Sequence, residues 1–174
     1  MRKKARDQRL DKLFIPASTI ERMNELNHKT HETGREHGMA LCLSPDKRVV
    51  PGIESVGDEG SIDISETCGT RKNKYIGSFH THPRPSETKF SAMDLFSSCD
   101  VKSKIDCVGM NRNGEIECYA KKTKKSCQDT AEALVKIEDM YFDIDPEDRK
   151  ILKSNLLEEV DKLTDKKFIS KKIL

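Results

Sequence analysis

"IGSFHTHPRPSETKFSAMDLFSS", residues 76–98, begins like a buried strand and ends like a helix, with two histidines at the break. The run up to His80, closed by Pro83 just after His82, predicts a strand that stops at the proline. Side chains alternate faces along a strand, so His80 and His82 leave the same face two residues apart. That spacing lets two imidazoles reach one ion. Beyond the loop "PRPSETKF", Ser91 with Asp94 three residues later marks a helix start. Asp94 then sits in the first turn, where its carboxylate can turn back toward the strand end. Each piece also has an ordinary use, as exposed histidines at a strand end and as a helix cap.

Together they make a ligand set. Two neutral imidazoles and one carboxylate form an open zinc site, whose fourth tetrahedral position takes a water with its pKa lowered toward ~7. Three ligands and an open position imply catalysis, and catalysis requires a base that does not itself bind the ion.

Working outward, "REHGMALCLS", the turn residues "SPDK" and "RVVPGIES" predict two strands with a tight connection, and "SIDIS" predicts a third, alternating strand. Pro51 demotes its strand to an edge or a bulge. Upstream, Ser18 and Glu21 fit a capping box, with Ile20, Met23 and Leu26 at helical spacing and Gly34 as the stop. Downstream, "KIDCVGM" and "EIECYAKK" flank Asn113-Gly114, a strong hairpin signal. "QDTAEALVKIEDMYF" predicts a helix with Ala131, Leu134, Val135, Glu138 and Tyr141 on one face. Asp145 before Pro146 opens a last helix with an apolar stripe of Leu152, Leu156, Leu157, Val160 and Leu163. That stripe is expected to pack on its own domain, as a monomer or homodimer. The order of elements predicts an α/β or α+β fold with a mixed, largely antiparallel sheet flanked by helices. Residues 1–9 are expected as a basic tail, 10–142 as the domain and 143–174 as a helical extension.

Composition sets the limits. The 174 residues suit one domain, 36% of them charged and only 5% aromatic, so the core must be aliphatic and modest. A formal charge of +2 gives no general argument for nucleic acid, although Arg2, Lys3, Lys4, Arg6 and Arg9 cluster at one end. No run reaches the ~18 apolar residues of a membrane span. Six dispersed cysteines without a CxxC pair, and no apolar leader, predict free and mostly buried thiols in a reducing cytoplasm. None of them opens a helix after a glycine-rich elbow, so a thiol nucleophile is not expected. His28, His31 and His37 read as solvent-facing.

"HTHP" followed by "SAMD", with the glutamate of "EHGMALCL" ahead of an apolar strand, resembles the JAMM (MPN-plus, JAB-domain) metalloprotease family, over roughly residues 10–142. The resemblance implies a cytidine-deaminase-like MPN fold of a small, prokaryotic-type member. It implies that His80, His82 and Asp94 bind Zn2+, that Glu36 is the general base with Glu32 as the fallback, and that Ser91 steadies the oxyanion. The implied activity is isopeptide or peptide hydrolysis that releases a ubiquitin-like or sulfur-carrier protein from a conjugate. Two alternatives stand beside it, a non-catalytic scaffold of the same fold and a DNA-repair-associated JAB-domain protein.

Overall fold

The central strand forms because "HGMALCL" is apolar throughout, and such a run is at rest only between two covered faces. In the computed structural model, which describes residues 4–83, 94, 103–110, 114–121, 132, 133, 135–137, 139, 143–147 and 168–174, this run is β3 (His37–Leu43) and is buried along nearly its whole length. β4 (Val49–Val56) pairs with it antiparallel through the turn at Lys47, and β5 (Lys74–His82) pairs antiparallel on its other side. β6 (Ile105–Met110) lies parallel to β5, and β7 (Glu115–Lys121) follows antiparallel after Gly114. β8 (Phe168–Lys172) closes the sheet in the order β4-β3-β5-β6-β7-β8. The fold is therefore α+β with a mixed, mostly antiparallel sheet. Pro51 lies on edge strand β4, where the ladder with β3 shifts register between Met39 and Leu41, as its missing N–H requires.

One parallel step interrupts the antiparallel order, and a glycine makes it fit. A Cβ at Gly77 would lie 1.5 Å from the carbonyl oxygen of Ile105, so no other residue allows β5 and β6 to approach this closely.

α1 (Ala17–Thr33) covers one sheet face with Ile20, Met23 and Leu26, each at most 1% exposed, against Met39, Leu41, Phe79, Ile105 and Ile116. Burial of each such side chain contributes about 1.5–3 kcal/mol. The helix ends where expected, at Gly34 in the left-handed region, whose N–H bonds Thr30 O. Its start differs from the capping box read at Ser18: Pro16 is the N-cap residue, and the Asp7 carboxylate accepts from Ala17 N at 2.7 Å. A residue remote in sequence does the capping.

Other expectations are corrected. The segment 1–9 is not all solvated tail, because Ala5 is buried and β1 (Gln8–Leu10) pairs antiparallel with β2 (Leu13–Ile15) to bury Leu10 and Ile15. "SIDIS" is no strand: Asp58 gathers Gly60 N and Ser61 N into a turn, and the chain then crosses β4 with Thr67 O accepting from Ile53 N. The helical extension 143–174 ends as β8, which pairs with β7, while Asp145 caps Glu147 N as read. In the helix before it, Ala133 and Ile137 are buried among the described residues, while Val135, expected on the inward face, is 56% exposed. Ala131, Leu134, Glu138, Tyr141 and the stripe from Leu152 to Leu163 lie outside the described residues.

The thiols are not all free. Cys42 is bonded to Cys68, and Cys107 to Cys118, its cross-strand partner in the β6–β7 hairpin. The expectation of a reducing cytoplasm loses the support that free thiols gave it. Among the described residues no helix is long and apolar enough to cross a membrane.

Candidate metal centre

Alternation along β5 sorts its end into two sets. Phe79 and Thr81 face α1 and are fully buried, whereas His80 and His82 face the opposite side. On β3, Gly38 pairs with His80. The same register, continued two residues, sets Glu36 opposite His82 on the histidine face. A Cβ at Gly38 would meet Phe79 O at 2.6 Å and the Cδ1 atoms of Ile64 and Ile62 at 2.5 and 3.2 Å. The bare glycine thus lets the 57–68 segment lie flat beside the site.

Asp94, helical and half-buried, completes the group. Its Oδ1 lies 2.9 Å from His80 Nε2 and its Oδ2 3.3 Å from His82 Nε2, while the two Nε2 atoms are 3.1 Å apart. Tyr119, buried on β7, points its hydroxyl at the Asp94 carbonyl at 3.5 Å. Asp106, paired in register with Ser78 one step before His80, accepts from Ser78 Oγ at 3.1 Å and Ser103 Oγ at 2.5 Å.

These three side chains form a group able to hold a metal ion. A tetrahedral ion with bonds of about 2.0–2.1 Å sets its ligand atoms about 3.3 Å apart; the two Nε2 atoms are near that spacing, and each lies near one oxygen of the Asp94 carboxylate, His80 near Oδ1 and His82 near Oδ2. Two imidazole Nε2 atoms facing one carboxylate and each other leave one N···N contact that a single proton must serve. A cation serves all three at once, and the nitrogen and oxygen donor set suits zinc.

The electrostatics agree with close coupling in the metal-free group. Burial would push the Asp94 carboxyl up, but hydrogen bonds to both imidazoles outweigh it and hold it well below the usual carboxylate range. Burial draws His80 down, yet the bond to Asp94 and the charges of Asp94, Glu36 and Asp106 leave it raised. Glu36, 8% exposed, is raised mainly by burial, against the pull of His80 and His82, with Asp94 and Asp58 adding to the rise. A carboxylate whose proton affinity is raised suits proton transfer near neutral pH.

Four residues singled out by sequence therefore meet on one sheet face: Glu36, His80, His82 and Asp94. Glu32 does not join them, since it is exposed on α1 over the opposite face. Ser91 lies outside the described residues. His31 is exposed as expected and His28 partly so, but His37 is buried, with Nε2 3.1 Å from Thr33 Oγ1. Burial, then the charges of Lys29 and Arg35, lower its pKa. Thr30 and Thr81, unremarked in the sequence, are fully buried beside it with their hydroxyls in contact. The one available signal was Thr81 itself, a polar residue alternating toward the core between two histidines.

No protein-family profile matches the chain, and no curated protein is significantly similar to it. Among solved structures, the solution structure of a protein from Salinibacter ruber (strain DSM 13855) is similar over 61% of this chain and 80% of that one, at 15% identity and a TM-score of 0.38.

Proposed function

We propose that this chain is a zinc-dependent hydrolase of amide bonds, of the JAMM (MPN-plus) type and fold, that cleaves ubiquitin-like or sulfur-carrier proteins from lysine or peptide conjugates. One observation carries the reading: a buried glutamate that is not among the grouped ligand atoms, two residues before the Gly38 that pairs with His80, feels the charges of His80, His82 and Asp94. A structural metal site has no use for such a neighbour, and a scaffold that had lost the chemistry would not need to keep it buried.

His80, His82 and Asp94 would hold the ion. When bound, zinc supplies Lewis acidity, polarising a carbonyl and making water acidic near neutral pH. Glu36 accepts the proton of the attacking water as its oxygen adds to the carbonyl carbon, then returns it to the nitrogen as the C–N bond breaks. Its raised proton affinity suits both halves of that exchange. Ser91, three residues before Asp94 in the sequence, is assigned to donate a hydrogen bond to the oxygen that gains charge.

Elemental analysis after zinc reconstitution, paired with cleavage of a lysine-linked ubiquitin-like conjugate, tests this. Wild type is expected to carry about one zinc per chain, and His80→Ala to lose it. Glu36→Gln keeps the shape without the basicity, so it should retain zinc while cleaving at least ~100-fold more slowly. Wild-type protein that cannot be loaded with zinc overturns the reading, and a fully active Glu36→Gln overturns its mechanism.

A further inference from the structure

The β3–β5 ladder stops two residues short of the base. Its last backbone pair at this end is Gly38 with His80. The next position by register sets His37 beside Thr81, and there the Thr81 side chain also bonds the backbone of β3. Thr81 Oγ1 accepts from His37 N at 3.0 Å and donates to His37 O at 3.1 Å. It also touches Thr30 Oγ1 on α1. A hydroxyl has one proton and two lone pairs. With the proton on His37 O, the lone pairs take the His37 N–H and the Thr30 O–H, and the capacity of Thr81 is filled.

We infer that Thr81 is a positioning residue for Glu36: its buried hydroxyl, backed by Thr30, fixes the backbone of His37 and so sets the base against the two histidines. The backbone of Glu36 itself is held only from the other side, by Glu36 N to Asp58 O at 2.7 Å and Gly57 N to Glu36 O at 2.9 Å. Thr81 therefore adds a side-chain tie, next to the base, to the strand that carries His80 and His82. It touches neither substrate nor ion, because it points to the opposite face. The inference rests on the reading of Glu36 as a base, since only then does a shift of this backbone alter turnover.

Three variants test it: Thr81→Val removes the hydroxyl at similar shape, Thr81→Ser restores it, and Thr30→Val removes its backing. Amide exchange on metal-free protein reads the clamp directly. In Thr81→Val the His37 amide should exchange roughly 10-fold faster, with Met39 and Leu41 unchanged; Thr81→Ser should keep wild-type protection. In zinc-loaded protein, Thr81→Val should keep its zinc and its KM while kcat falls about 10- to 100-fold, with recovery in Thr81→Ser and a smaller fall in Thr30→Val. A Thr81→Val protein with wild-type His37 protection and wild-type kcat overturns the inference. Loss of zinc uptake in wild type would instead refute the hydrolase reading, and the exchange experiment would still decide whether the clamp exists.

Discussion

The β3–β5 pair has two unlike ends. Through its middle and toward Leu43 and Lys74, it is joined by backbone ladder and covered by Met39, Leu41, Ile76 and Phe79, at most 2% exposed. At the other end, beyond the last pair Gly38 and His80, the Thr81 hydroxyl reaches His37, and Glu36, His37, Thr30 and Thr81 are buried although polar. Apolar burial stabilises without regard to direction. A buried polar group costs free energy unless its hydrogen bonds are made, and each of those bonds returns only about 0.5–1.5 kcal/mol net. The first end holds the fold, and the second fixes where a few atoms sit.

The comparison breaks most readily by truncation at the apolar end. Leu41→Ala should destabilise the protein by about 2–5 kcal/mol, read from urea unfolding, while zinc stoichiometry under native conditions stays near wild type. A folded Leu41→Ala protein that no longer takes up zinc would show that the two ends are not separable.

A smaller effect comes from pH and should be confined to the polar end. His37 is held below its ordinary value by burial, then by Lys29 and Arg35. Unfolding there takes up a proton, so stability is lost as pH falls from about 6.5 toward the folded pKa. In metal-free protein, His80 shifts the other way: its pKa is raised, because Asp94 outweighs burial. That contribution is complete below about pH 6.5 and is lost as pH rises through the folded value. Urea midpoints against pH, with chelator present, should lose the slope just below about pH 6.5 in His37→Asn and the slope above it in His80→Asn, while the loss that Asp94 adds below about pH 4 persists in His37→Asn. Unchanged profiles in both variants would break the assignment.

The least effect is expected at Glu32, on the far face of the sheet. Glu32→Gln should change stability by no more than about 0.5 kcal/mol, with zinc content and turnover as in wild type. A large loss of turnover would move the base from Glu36 to Glu32 and dissolve the distinction between the faces.

What the sequence could reveal depended on whether the cause was local. β3, β5 and the β6–β7 hairpin announce themselves through apolar runs, Pro83 and Asn113-Gly114, and the place of His80 and His82 follows from strand alternation alone. Asp94 and Glu36 were legible as residues, whereas their meeting depends on a strand register that no local pattern fixes. "SIDIS" misled because Ile62 and Ile64 alternate in order to lie over Gly38, a period of two produced without a ladder. β8 escaped because "FISKKIL" is short and lysine-rich and gains its partner only from β7, some fifty residues earlier. The bonded cysteines, the Asp7 cap and the Thr81 hydroxyl are likewise products of tertiary placement.

Gly77 carries a consequence for the time course of folding. The sheet comprises two antiparallel halves, β4-β3-β5 and β6-β7-β8, and the parallel contact at Gly77 and Ile105 joins them. Hairpins form in microseconds, while parallel pairing between distant segments is intrinsically slow. On topology alone, the join follows the β3–β4 and β6–β7 hairpins. It also sets Val108 beside His80, and Asp94 lies in sequence between β5 and β6. On the reading proposed for the site, Asp94 joins His80 and His82 only once the chain beyond β5 has folded, so that capture of zinc would act as a clock that strikes late in assembly.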